Sequence, residues 1–278
     1  MKIGIIGTDS THAIAFSERL QKKGHKLFAY RGGSAIDLSR NRIERISAEL
    51  NDSGIPFMTT LQELSDICDA FIITSADASQ HFGQFADLAA LEKPIFIDKP
   101  LALNYEQASS IVELANEKGT PLMSCSALRF ADEIQLAKSK ESIEAVDIIS
   151  PLPMLQEFDY FYYGIHAVEM ISALKGTSVK DIAVTFNEQQ HFITFTFQDG
   201  TVSSIRGYLQ HRQSFQFVAH TQQQSEWFEI AEGDLRFYDR LIDMIEQFFI
   251  EKKSPIDQTD MLQTIKLLER ITNIAGAH

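Results

Sequence analysis

The chain has 278 residues, 44% of them hydrophobic, and a formal charge of −13 at pH 7. That length leaves room for one large domain or two ordinary ones. The charge argues against a nucleic-acid backbone or an anionic membrane surface as a partner, while leaving room for a local basic pocket. The opening MKIGIIG goes straight into a strand without the regions of a signal peptide, and no apolar run approaches transmembrane length. Cys68 and Cys125 stand in unrelated contexts, as expected of two reduced, buried thiols in a cytoplasmic protein.

In chain order, residues 2–6 are a short β-branched apolar run, and residues 10–23 place Ala13, Phe16 and Leu20 at helical spacing. Residues 25–30 read as a second strand, ending in the glycine break Arg31-Gly32-Gly33-Ser34. A helix over 41–50, a short strand over 56–58 and a short helix over 61–66 follow. Residues 70–74 (AFIIT) are an apolar strand, 79–90 a helix, 94–97 (PIFI) a strand, 105–118 a helix and 121–124 a closing strand. Repeated strand–helix units with short connections predict an α/β domain over residues 1–126, a doubly wound parallel sheet covered on both faces.

Beyond about residue 130 the rhythm changes. A strand at 145–150 and a helix at 161–174 precede strand-like runs at 179–186, 191–198, 201–208, 214–221 and 225–230. Several alternate strictly, as in HFITFTF from residue 191, and Gln198-Asp199-Gly200 signals a hairpin turn. The pattern predicts an α+β domain over 127–278 with an open antiparallel sheet, one face buried. Two amphipathic helices, near 234–250 and 260–275, end the chain.

The loop Gly7-Thr8-Asp9-Ser10-Thr11-His12 sits where a strand–turn–helix unit forms an anion site. The dinucleotide fingerprint asks for glycine at three places, and only Gly7 supplies one; Asp9 and His12 occupy the other two. Two readings stand side by side. In one, Asp9 caps the helix and no ligand binds. In the other, the phosphates sit differently, with Ser10 and Thr11 hydroxyls replacing lost backbone contacts. His12 either touches the cofactor or packs against the second strand. At the end of that strand Arg31 stands where NAD binding favours an acid; an arginine can pair with a 2′-phosphate, which tilts the choice from NAD toward NADP.

Lys99-Pro100 follows a buried apolar strand, at the end where an open parallel sheet binds ligands. Its ammonium can stabilise a developing alkoxide, and Pro100 fixes the backbone beside it. Lys93-Pro94, six residues earlier, has the ordinary reading of a surface turn. The histidines at 191, 211 and 220 lie on strand-like stretches without ligand spacing, so no metal site is expected.

Phe96-Ile97-Asp98-Lys99-Pro100 resembles the Glu-Lys-Pro motif of the glucose–fructose oxidoreductase/inositol dehydrogenase (Gfo/Idh/MocA) family. Ser75-Ala76-Asp77 with His81 resembles that family's loop after the fourth strand, beside the nicotinamide. Ser124-Cys125-Ser126-Ala127-Leu128-Arg129-Phe130 resembles its crossover into the second domain, and Gly164-Ile165-His166 with Glu169 its Gly-x-His helix. The likeness extends over nearly the whole chain. The members it most resembles carry an Asp-Thr-Ser-His type loop in place of the glycine fingerprint.

The resemblance implies a Rossmann domain, a second domain whose sheet forms a homodimer or homotetramer, and terminal helices packing back on the first domain. It implies hydride transfer between NAD or NADP and a sugar, cyclitol or related hydroxyl. It implies that Gly7, Asp9, Ser10, Thr11, His12, Arg31, Ser75, Asp77, His81 and Lys99 meet the cofactor, and that Lys99 and His166 act in catalysis. The family often places an aspartate four residues before the histidine; here that residue is Tyr162, which can relay a proton, with Asp159 a turn earlier as partial compensation. Arg129 and Tyr163 are candidate substrate contacts, Arg129 having an interdomain salt bridge as its other reading. From another class, a cofactor-binding sensor or scaffold without turnover is the alternative, fed by the altered loop and by Tyr162.

Overall fold

A computed structural model describes residues 1–140, 142–155, 158–210 and 214–276. It divides into two compact units, Met1–Cys125 with Leu241–Gln258, and Ser126–Arg240 with Thr259–His278.

The first unit runs β1 (Lys2–Ile6), α1 (Thr11–Lys22), β2 (Lys26–Tyr30), α2 (Asp37–Arg40), α3 (Ile43–Asp52), β3 (Phe57–Met58) and α4 (Leu61–Ile67). It continues with β4 (Ala70–Ile73), α5 (His81–Ala89), β5 (Ile95–Asp98), α6 (Tyr105–Lys118) and β6 (Leu122–Cys125). The strands pair in parallel in the order β3-β2-β1-β4-β5-β6. β4, β5 and β6 are buried at every position, which is why they read as unbroken apolar runs rather than alternating ones. Local signals fix the helix ends. Thr60 and Glu63 form a capping box at α4, and Asn104 opens α6, which Gly119 closes in the left-handed conformation. Cys68, at the end of α4, is a free thiol that burial pushes up to about 12, so it is chemically quiet.

The second unit holds α7 (Asp132–Lys138), β7 (Ala145–Pro151), α8 (Gly164–Leu174), β8 (Val179–Phe186), β9 (Gln190–Phe197), β10 (Val202–Tyr208), β11 (Phe215–His220) and β12 (Ser225–Ile230). Its sheet, in the order β12-β11-β7-β10-β9-β8, corrects the expectation of an all-antiparallel one. β7 and β10 are parallel; the other neighbours are antiparallel. A parallel pair needs a crossover, and the chain makes it through α8 and the β8–β9–β10 meander before returning beside β7. Phe195, Ile205, Phe217 and Phe228 fill the buried face.

α9 (Arg236–Glu251) clusters with the first unit from Leu241 onward, where Lys23 pairs with Asp243 and Glu246, and His25 with Glu246. α10 (Gln258–Gly276) clusters with the second unit from Thr259, so of the two closing helices only the segment Leu241–Gln258 joins the first.

Candidate functional site

In the first unit the strand order reverses direction between β1 and β4, so the loops after those strands meet at a switch point. Gly7 makes that meeting possible. Its φ is +86°, and a Cβ there would lie 2.2 Å from Ser75 Oγ and 2.6 Å from the Ser75 backbone. Thr8 ties this loop to the next, its amide donating to the Arg31 carbonyl at 2.9 Å.

Asp9 is not the helix cap. Ser10 caps α1, its hydroxyl accepting from the His12 amide at 3.2 Å. The Asp9 side chain is fully buried and turns across the switch point, where Oδ1 accepts from the Ala76 amide at 2.9 Å. Its Oδ2 has no hydrogen-bond partner among the described residues. His12 reaches across to β5. Its Nδ1 lies 2.6 Å from Asp98 Oδ2 at the end of β5, and its ring leans on Phe16. Burial pushes the Asp98 carboxyl up, but His12, and after it Lys99 through charge and amide, hold it below the usual carboxylate range. The residue at the third fingerprint position is thus bonded to the residue that precedes Lys99. The Lys99–Pro100 peptide is cis.

Three residues of the expected coenzyme set are occupied in building the loop after β4. Ser75 Oγ is paired with the Gln84 side-chain amide. Asp77 caps the 3-10 turn Ala78–Gln80, accepting from the Ser79 amide at 3.0 Å and the Ser79 hydroxyl at 2.6 Å. His81 is fully buried, with Nε2 3.0 Å from the Ser75 carbonyl and Nδ1 3.0 Å from the Pro100 carbonyl. Burial lowers its pKa despite those carbonyls. The ring lies between the Ser75 carbonyl after β4 and the Pro100 carbonyl after β5, and the neutral imidazole donates to one of them, bracing the two loops. Arg31 forms an exposed ion pair with Glu44 on α3.

The helix start fits an anionic diphosphate. Asp9 is drawn inward onto Ala76, while Ser10 is half-buried and Thr11 exposed at the positive end of α1. The unpartnered Asp9 Oδ2 is a buried acceptor that a bound N–H or O–H donor would satisfy.

In the second unit His166 lies in the first turn of α8, with Nδ1 2.7 Å from Ser126 Oγ. The rings of Tyr163 and Phe215 stand edge-on to it at 5.5 and 5.8 Å. α8 begins at Gly164, three residues later than predicted, so Tyr162 lies before the helix and the one-turn spacing to His166 does not hold. Tyr162 stacks on Phe158 and tilts against Tyr163. Asp159 is exposed, with φ +44°, and is not a helical neighbour of either tyrosine. Burial raises the Tyr163 phenol, which therefore keeps its proton.

Arg129 is ion-paired within the second unit. It is 7% exposed, with one guanidinium nitrogen 2.7 Å from Glu169 and another 2.8 Å from Asp260. Burial pushes the Glu169 carboxyl up even with Arg129 against it. Ser126 and Asp98, the partners of the two histidines, carry no role legible in the sequence, because a lone serine or aspartate gives no spacing signal. His191 bonds the Tyr160 hydroxyl, and His220 bonds Ser225 and Asp147. His211 lies outside the described residues. Among the described residues no group of three or more His, Cys, Asp and Glu is placed to hold a metal, and no helix is long and apolar enough to cross a membrane.

Strand order, turn glycine and a capped helix at the switch point define a Rossmann-type nucleotide-binding unit. Residues 1–125 match the model of the oxidoreductase family with an NAD-binding Rossmann fold, Gfo/Idh/MocA. YceM of Salmonella typhimurium, described provisionally as an oxidoreductase, is 36% identical over 77 residues, 28% of this chain and 25% of that protein. The match therefore spans about a quarter of this curated relative's length. A probable dehydrogenase from Thermotoga maritima superposes with TM-score 0.81 at 14% identity, over 100% of this chain and 98% of its own. The WlbA dehydrogenase from Bordetella pertussis, solved with NADH and UDP-GlcNAcA, does so at 0.78 and 15%, over 99% and 96%. At these identities the likeness carries the fold.

Proposed function

We propose that the chain is an NAD(P)-dependent oxidoreductase acting on the CH–OH group of a sugar, cyclitol or polyol-like substrate. The observation that carries this reading is Lys99, directly after β5 in a parallel sheet whose segment matches an NAD-binding oxidoreductase family. A bound nicotinamide supplies the acceptor or donor of hydride. Gly7, Ser10 and Thr11 hold its diphosphate, and Arg31 meets the adenosine ribose. The Arg31–Glu44 pair is exposed, and such pairs contribute only about 0–1 kcal/mol, so a 2′-phosphate can compete with Glu44 for the guanidinium. That supports NADP beside NAD. Lys99 hydrogen-bonds the reacting oxygen and stabilises its negative charge. His166 moves the proton, with the phenols of Tyr162 and Tyr163 available to bind substrate hydroxyls. The relative solved with a UDP-sugar supports a carbohydrate-like substrate.

We place the protein in the cytoplasm, as a homo-oligomer associating through the second sheet. There Trp227, 57% exposed, stands on the strand face opposite buried Phe228. One observation favours the non-catalytic alternative, the buried carboxylate of Asp9 where the fingerprint wants glycine. A panel of sugars, cyclitols and polyols with NAD⁺ and NADP⁺, followed by nicotinamide absorbance, separates the two. Turnover of at least one panel member is expected. Coenzyme binding without turnover of any would favour the sensor.

A further inference from the structure

We propose that Ser126 is the positioning residue for His166, and that its hydroxyl donates to Nδ1 and so fixes the proton of the neutral imidazole on Nε2.

The assignment follows from counting donors and acceptors in a closed space. Ser126 has no exposed surface. Its carbonyl accepts from the Arg129 amide at 3.2 Å, and its own amide donates to the Glu169 carboxylate. Its Oγ accepts from the Leu128 amide at 3.3 Å, the cap of the 3-10 turn Ala127–Phe130. Among the described residues the hydroxyl proton then has one acceptor within reach, His166 Nδ1 at 2.7 Å. In the opposite arrangement Nδ1 would carry the proton and donate to Oγ. The serine would then accept twice, and its own O–H would be stranded in a buried site. An unmade buried hydrogen bond biases such an equilibrium by about tenfold or more.

The rest of the cluster keeps Ser126 in place. His166 and Glu169 are three residues apart on α8 and so share a face. That face grips Ser126 twice, at its hydroxyl through His166 and at its amide through Glu169. Glu169 is held by Arg129, and Arg129 by Asp260 of α10. Tyr163 and Phe215, edge-on to the imidazole, resist its rotation. The chain Asp260–Arg129–Glu169–Ser126 orients the histidine, the task a carboxylate performs in triads of this logic. A serine orients without supplying negative charge. It leaves Nε2–H as a hydrogen-bond donor, so neutral His166 can stabilise an oxygen gaining negative charge by donating a hydrogen bond to it. Acting as base requires a tautomer switch that strands the serine proton, or loss of the Nε2 proton altogether.

This deepens the oxidoreductase reading and rests on it for its meaning, but the test does not need turnover. The full chain is labelled with ¹⁵N-histidine, and two-bond ¹⁵N–¹H correlations are recorded where imidazoles are neutral. His166 is assigned by the signals lost in His166→Asn. The expected pattern is Nε2–H alone in the native protein, the same pattern in Ser126→Thr, and a mixture of tautomers in Ser126→Ala. An Nδ1–H pattern for His166 in the native protein overturns the proposal even if neither Ser126 variant folds. So does an unchanged pattern in folded Ser126→Ala.

Discussion

Replacing Lys99 with methionine is expected to lower turnover by about 10²–10³-fold while weakening coenzyme binding no more than several-fold. Methionine keeps much of the length and apolar stem of lysine and removes the ammonium. Asp98, just before it, stays bonded to His12, and His81 stays bonded to the Pro100 carbonyl, so the backbone that presents residue 99 is unchanged. What is lost is the donor aimed at negative charge on the reacting oxygen. That charge is largest in the transition state, so kcat carries the loss. Measuring kcat and coenzyme Kd together tests this. Equal losses in both would make Lys99 a coenzyme contact and no more.

Arg129→Met is expected to destabilise the protein by about 3–5 kcal/mol, because it leaves the buried Glu169 charge without its partner. At about 2–4 °C per kcal/mol for a domain of this size class, the second unit should melt roughly 6–20 °C lower. The effect has a defined pH dependence. Burial has already raised the folded-state pKa of Glu169 despite Arg129, and removing the guanidinium removes the opposing influence. A carboxyl with a raised folded pKa favours the folded state below its unfolded pKa, and that favour is lost as pH rises through the folded value. The Arg129→Met penalty should therefore be largest at neutral pH and shrink on acidification as Glu169 takes up a proton. Adding Glu169→Gln should recover part of the loss at neutral pH. Thermal melts across pH that show a constant penalty would contradict the account.

The parallel sheet is legible because its central strands, AFII in β4 and IFID in β5, are buried on both faces and flanked by turn residues. The parallel pairing of β7 with β10 is not legible, since alternation reports which face is buried and says nothing of direction. α7 buries only Ile134 and Ala137 and is too short for its period to show. The aromatic run from Phe158 to Tyr163 looks continuous with the following helix. Asp159 at positive φ interrupts it, which misplaced Tyr162.

Among the site residues, Lys99 stands out because it ends an apolar run, whereas Lys93 bonds the Ser65 and Cys68 carbonyls as an ordinary structural lysine. The pairs that give the histidines their roles, His12 with Asp98 and His166 with Ser126, are 86 and 40 residues apart, beyond any local pattern. Arg129 reads from the sequence as a substrate contact or an interdomain salt bridge, and its carboxylate partners Glu169 and Asp260, 40 and 131 residues away, lie beyond any local pattern.

A loop with Asp9 and His12 in place of two glycines must still hold a dinucleotide if Lys99 is to act on a substrate beside it. Titration of the purified chain with NADH and with NADPH, read by nicotinamide fluorescence, tests this most directly. Saturable enhancement with at least one of them, approaching one coenzyme per chain, is predicted. No change with either, in protein shown to be folded by its thermal melt, would contradict it.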